Sequence, residues 1–245
     1  MKILAIIPAR GGSVRIPKKN IRNLSGRPLI NWTIDFARRT TIFSDILVST
    51  DSSEVAEIAL KAGAWVPWLR PENLAKSETK TAEVCLHALK WYETERGSVD
   101  CIVTLQPTSP FRSVDLLNSA LRKFSESKGK SVISVRQDVM RLDWAMSSKM
   151  EGELVEIQGH PLIPRDLLAS RLLLPSGSVY VTSSDTLKEK DSLIGETAVG
   201  VISKSKIEEI DIDTIKDFEF AEIVAKSITS GLLTGFNFPS QTEFQ

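Results

Sequence analysis

The stretch MKILAIIPARGGSVRIPKKN, residues 1–20, decides how this chain is read. Its apolar run, residues 3–8, breaks without a linker into a loop that holds two glycines and four cations. An unbroken apolar run of that length suits a strand covered on both faces, as in a parallel sheet. Gly11 and Gly12 let the backbone approach a ligand closely and turn its N–H groups toward it. Arg10, Arg15, Lys18 and Lys19 add positive charge around the same space. The combination describes a place to hold the phosphates of a nucleotide, with Lys18 the cation most readily explained as a solvated surface charge.

Outward from this stretch, strand-like and helix-like segments alternate. Leu29, Ile30, Ile34 and Ala37 follow helical spacing, and residues 45–50 read as a second strand. Ser52 or Ser53 can cap the next helix, where Val55, Ile58, Ala59 and Ala62 share a face and Gly63 stops it. Residues 65–69 read as a short strand, 81–92 as a helix and 101–105 as a strand. Ser113 caps a helix to about residue 124, and 131–135 is another strand. This alternation predicts an α/β fold with a parallel sheet and helices on both faces. Ligands in such sheets bind beyond the carboxyl ends of the strands.

The pattern changes over residues 137–175, where Met140, Trp144, Met146 and Met150 sit in weak periodicity. This stretch reads either as an arm that packs against a second subunit or as a surface excursion covering the parent core. Strands resume at 177–182 and 198–203, and an amphipathic helix covers 215–228. The predicted layout is one domain built from residues 1–136 and 176–229, an inserted arm at 137–175, and a loosely held tail at 230–245.

The 245 residues carry 31 basic and 31 acidic side chains. Such a balance argues against a general nucleic-acid or membrane surface. Cys85 and Cys101 both read as buried small hydrophobes of a reducing compartment, which makes the expected location cytoplasmic. Two cysteines and two histidines lie scattered without zinc-ligand spacing. His87 reads as a core or rim residue, and His160 falls in the irregular arm.

Three motifs carry chemistry. The glycine loop lacks the Gly-Lys-Ser/Thr of a Walker A and is not G-x-G-x-x-G. Leu105-Gln-Pro-Thr-Ser-Pro-Phe-Arg112 follows a buried strand, and its two prolines stiffen a loop that presents Gln106 and Arg112 as donors. The same stretch is also explained as a rigid connector to the helix that Ser113 caps, although that leaves Gln106 unexplained. In Ile210-Asp-Ile-Asp-Thr214, an extended backbone turns Asp211 and Asp213 to one side, where they could share a divalent cation. Magnesium suits one or two carboxylates completed by water and phosphate oxygens. The bland alternative has Asp213 capping the next helix and Asp211 solvated.

Taken together, these segments resemble the acylneuraminate cytidylyltransferases, which make CMP-sialic acids and related CMP-nonulosonates. The resemblance runs from residue 3 to about 225. It rests on Pro8-Ala-Arg-Gly-Gly-Ser13 with Lys19-Asn20, Gly26-Arg-Pro-Leu-Ile30, Val48-Ser-Thr-Asp51, Arg70-Pro71 with Leu74-Ala75, the Gln106 loop and the Asp211–Asp213 segment. Lys19-Asn20 favours the nonulosonate branch over the related Kdo enzymes. The resemblance implies a Rossmann-like nucleotidyltransferase that uses CTP and a nonulosonic acid. Arg10, Ser13, Lys19 and Asn20 would bind CTP, with Thr81 near the nucleotide, and Gln106 would contact the acceptor sugar. Asp211 and Asp213 would hold Mg2+. The family is homodimeric, and its arm lends the partner a cation for the sugar carboxylate, a role Arg165 or Arg171 would fill. Three departures stand out: Val14 where the family commonly has Lys, Ser176-Gly177-Ser178 in place of Asn-Gly-Ala, and a short arm. The rivals are a nucleotidyltransferase with another NTP or acceptor, and a catalytically inert nucleotide-binding module.

Overall fold

Ile3–Pro8 forms β1, and its side chains alternate between two cores. Ile3, Ala5 and Ile7 enter one apolar cluster, while Leu4 and Ile6 enter another on the opposite face of the sheet. That double burial is why the run is continuous rather than alternating. The structure, a computed structural model, describes residues 1–127, 131–137, 146–150, 153–156 and 173–233.

After β1, Asn23–Leu24 and Arg27–Pro28 form a small antiparallel pair, β2 and β3, that leads into helix α1, Leu29–Thr40. Strand β4, Asp45–Ser49, leads to α2, Ser53–Lys61, capped by the Ser52 hydroxyl, which accepts from the Val55 N–H. Helix α3 spans Thr81–Arg96, strand β5 Cys101–Thr104, and α4 Val114–Glu126, with Ser113 as the cap. Strand β6 is Ser131–Gln137. Two strands of the inserted stretch, β7 at Met146–Met150 and β8 at Glu153–Glu156, pair with each other in a separate two-stranded sheet. Strand β9 covers Leu173–Ser183, α5 Ser184–Lys190, β10 Ala198–Ile202 and α6 Ile215–Thr229.

The central sheet has the order β10-β6-β9-β5-β1-β4. Neighbours pair in parallel at β1–β4, β1–β5 and β10–β6, whereas β9 is antiparallel to both β5 and β6. The mostly parallel sheet matches the sequence reading, and the reversed β9 adds to it. Reversal has a consequence for placement: β9 begins at the edge where the other five strands end. Because Gln137 pairs with Leu173, the inserted stretch leaves and rejoins the sheet at this ligand edge.

Two expectations change. Residues 65–69 are not a strand but two isolated parallel bridges, Leu47 to Trp65 and Thr50 to Leu69. Pro67 between them has no N–H to continue a ladder. The helix after Asp213 is capped by Thr214, whose side chain and that of Asp217 form a reciprocal capping box, so Asp213 is not the cap. Met140, Trp144, His160, Arg165, Arg171 and the tail beyond residue 233 lie outside the described residues, as do the side chains of Met146 and Met150.

Helices α1, α2 and α4 contribute to the core on one face of the sheet, and α3 and α5 to the other. A third cluster joins α6 to Ile16, Leu24, Trp32, Phe111 and Ile212. It anchors the far end of the first loop and the Asp211 segment to the same apolar base.

Candidate active site

The carboxyl ends of β1 and β5, the start of α3 and the segment before α6 surround a cavity of about 390 Å³. Arg10, Ser13, Lys19 and Asn20 line it from the first loop, Thr81 from α3, Gln106 from the β5 loop, and Asp211 and Asp213 from the far wall. Residues as far apart in sequence as Arg10 and Asp213 therefore meet at the edge that a parallel sheet reserves for ligands.

The first loop is held from several sides. The Asn20 side-chain amide donates to the Arg10 carbonyl at 2.8 Å. Lys19, with a side chain only 13 % exposed, donates to the Ile212 carbonyl at 2.7 Å and lies 3.5 Å from Asp213. Gly11 does something other than the expected phosphate contact. Its N–H donates to Asp51 at 2.8 Å, and a Cβ there would stand 2.6 Å from the Ser52 Cβ, so this glycine lets the loop press against the α2 cap. Gly11 and Gly12 line a neighbouring hollow rather than the main cavity. Arg15 is also placed differently: it pairs with Asp213 at 3.2 Å, well exposed, and is not part of the cavity lining. Lys18 pairs with Glu54 at 2.7 Å, and Val14 is 87 % exposed.

Around Gln106 the sequence reading needs a second correction. Arg112 does not face the cavity but is 1 % exposed beneath the loop. Its Nε donates to the Ser178 carbonyl at 2.7 Å, its Nη1 to the Thr33 hydroxyl at 3.0 Å, and its Nη2 to the Gln106 carbonyl. The stiff proline loop thus turns its arginine inward and leaves Gln106 on the cavity wall. Gly177 sits opposite with φ +76°, a conformation that favours glycine. A Cβ there would lie 3.0 Å from Ser109 Oγ, 3.3 Å from Gln106 Oε1 and 3.7 Å from Asp211 Oδ2. Ser176 turns away from this group and donates to Ser134 Oγ at 2.7 Å.

Asp211 is the most perturbed acid of the site. Burial pushes its carboxyl above the ordinary range, a hydrogen bond from the Thr108 side chain opposes this, and the charge of Asp213 adds to it. Its Oδ1 is buried and has no hydrogen-bond partner among the described residues. An orphaned carboxylate oxygen at a cavity wall, with a second carboxylate beside it, is a donor set of hard oxygens that fits magnesium. Asp213 meanwhile carries the two ion pairs to Arg15 and Lys19.

Several cavity residues escaped the sequence reading. Arg70 is buried, donates to the Ser49 hydroxyl at 3.1 Å and to the Ser49 carbonyl, and reaches the Leu74 carbonyl at 3.4 Å. Burial holds its pKa below the usual value, with Asp51 opposing. Lys76, Ser77 and Thr79 line the cavity ahead of α3. The signal available for them was the polar run 76–81 before a helix start, where N–H groups lack intrahelical partners. His87 is not in the cavity wall; its ring meets Trp68 edge-on at 4.5 Å. Cys85 and Cys101 are both buried and free.

Residues 4–225 match the family model described as cytidylyltransferase. The chain is 36 % identical to the CMP-N,N'-diacetyllegionaminic acid synthase of Legionella pneumophila, covering 91 % of this chain and 95 % of that protein. It is 31 % identical to a pseudaminic acid cytidylyltransferase of Campylobacter jejuni, covering 92 % and 97 %. In structure it is similar to a CMP:2-keto-3-deoxy-manno-octonic acid synthetase complexed with CTP. That likeness has a TM-score of 0.69 at 16 % identity over 93 % of this chain and all of the other, and it speaks to the fold alone. With a family match over nine tenths of its length and relatives of this identity, the chain belongs to the CMP-nonulosonate branch of the cytidylyltransferase family.

Proposed function

We propose that this protein transfers CMP from CTP to the anomeric hydroxyl of a nonulosonic acid and releases pyrophosphate. The observation that carries this reading is one cavity with cations on its first-loop wall and the orphaned Asp211 oxygen on the wall beside Gln106. The acceptor hydroxyl attacks the α-phosphorus, an oxygen–phosphorus bond forms, the bond to the pyrophosphate oxygen breaks, and the hydroxyl proton leaves to solvent. Such a displacement needs in-line alignment and neutralisation of phosphoryl charge. Arg10 and Lys19 supply positive charge for the leaving pyrophosphate, Asn20 holds the loop through the Arg10 carbonyl, and Ser13 faces the nucleotide from the cavity wall. Thr81 lies against the nucleotide at the start of α3. Gln106 presents its amide to the sugar. Asp211 and Asp213 are the residues that would hold Mg2+, which when bound supplies Lewis-acid neutralisation of the phosphate oxygens.

The active form is, in this reading, a homodimer. The support is the family resemblance together with the separate β7–β8 pair, which belongs to an insertion that starts and ends at the ligand edge. Sedimentation velocity would read a mass near twice that of the 27.1 kDa chain. Two free, buried thiols support a cytoplasmic setting. Among the described residues no helix is long and apolar enough to cross a membrane.

The deciding experiment is pyrophosphate release with magnesium and CTP against legionaminic, pseudaminic and neuraminic acids, with Kdo included. Release with one nonulosonic acid supports the reading and names the acceptor. Silence across the panel with CTP still bound overturns it in favour of an inert nucleotide-binding module.

A further inference from the structure

We propose that Arg112 is a positioning residue for the acceptor half of the site, a buried clamp that holds Gln106 and Gly177 in register against Asp211. The inference rests on the cytidylyl-transfer reading only for what is positioned; the clamp itself is a matter of geometry. Three facts carry it. The guanidinium joins three separate pieces of the fold: the carbonyl of Gln106 after β5, the carbonyl of Ser178 in β9, and the hydroxyl of Thr33 in α1. Two of those acceptors belong to Gln106 itself and to the immediate neighbour of Gly177. Gly177 in turn leaves room between these groups: a Cβ built there would lie 3.3 Å from Gln106 Oε1 and 3.7 Å from Asp211 Oδ2. The clamp therefore ties the backbone that carries Gln106 to the backbone next to Gly177, the turn that faces Gln106 and Asp211.

The choice of arginine is informative. Burying a cation without an ionised partner is costly, so an arginine here is a poor choice for stability alone. No carboxylate pairs with Arg112 at ion-pair distance among the described residues, and Asp211 is the acid whose charge reaches it. Only a planar fork with five donors can serve three acceptors in fixed directions at once. Lysine has the charge but not the fork.

The test compares Arg112→Lys and Arg112→Met with the wild type, using CTP, magnesium and the acid selected by the panel. Positioning predicts that Arg112→Lys raises the KM for the acid about tenfold and lowers kcat about tenfold or more, with the KM for CTP within about twofold. A merely structural role would lower the melting temperature and the titrated fraction of active sites, with both KM values and kcat per active site unchanged, and that result overturns the proposal. Where Arg112→Met fails to fold, Arg112→Lys carries the comparison. Amide hydrogen exchange gives a second readout that needs no turnover. Peptides 105–112 and 174–180 should exchange faster together in Arg112→Lys, with β1 peptides unchanged; acceleration in neither, or everywhere, overturns the clamp. If the wild type is silent with every acid, the cytidylyl-transfer reading falls, and the exchange pattern still decides the role of Arg112.

Discussion

Asp211 carries a buried carboxylate oxygen without a hydrogen-bond partner among the described residues, and that has a consequence for stability. Its folded-state pKa is raised, chiefly by burial, so its favourable contribution to stability is present below its unfolded pKa and is lost as pH rises through the folded value. Burial makes ionising this carboxyl costly in the free protein. Asp211→Asn should therefore melt higher than the wild type at pH 7 without metal, by roughly 2–4 °C for each kcal/mol relieved. The gap should close below about pH 4, near the ordinary pKa of an aspartate. The same variant should lose pyrophosphate release and any rise in melting temperature on adding magnesium, which calorimetry checks directly. Gly177→Ala tests the opposite wall. A methyl group at φ +76°, 3.0 Å from Ser109 Oγ, should cost about 1–2 kcal/mol and raise the KM for the acid more than that for CTP. Residue identity alone left the two arginines ambiguous. Arg70 and Arg112 both stand near prolines, and nothing in their neighbours tells that carbonyls and hydroxyls of the protein itself accept their hydrogen bonds. Gly11 was legible as a close approach, but the partner is Ser52, which is 41 positions away in sequence.

Among the elements, the first loop and the segment before α6 behave as one unit although they lie at opposite ends of the chain. Lys19 donates to the Ile212 carbonyl, Arg15 and Lys19 pair with Asp213, and Ile16 and Ile212 share an apolar cluster. Lys19→Met should therefore do two things. It removes a cation from the cavity, lowering kcat on the order of 10²-fold, the scale seen when one transition-state donor is lost. It also frees residues 210–213, which limited proteolysis or exchange of that segment would report. The strands and helices themselves were largely legible, because β1, β4, β5 and β6 are short apolar runs, and serine caps mark the starts of α2 and α4. What periodicity cannot carry is strand direction: β9 has the same apolar character whichever way it runs, and its reversal is set by where the preceding insertion returns. The bridges at residues 65–69 were misread for a related reason, since β propensity there is high while Pro67 withholds the donor a ladder needs.

For the whole molecule, zero formal net charge conceals a local field. The basic and acidic totals cancel, yet Arg10, Lys19, Arg70 and Lys76 converge on one cavity. Binding of a triphosphate there should weaken with ionic strength, as partly exposed charges are screened over about 10 Å at 0.1 M salt. Val14→Lys should steepen that dependence and lower the KM for CTP while leaving the melting temperature in place, because the Val14 side chain is almost wholly in solvent. Titrations of CTP at several salt concentrations would measure both. The antiparallel entry of β9 has a separate consequence. Since the chain leaves the sheet at Gln137 and re-enters beside it at Leu173, the two cut points are hydrogen-bonded neighbours at the ligand edge. The stretch between them is thus detachable in topological terms: a short turn joining Gln137 to Leu173 should leave the β1 loop and its cations in place.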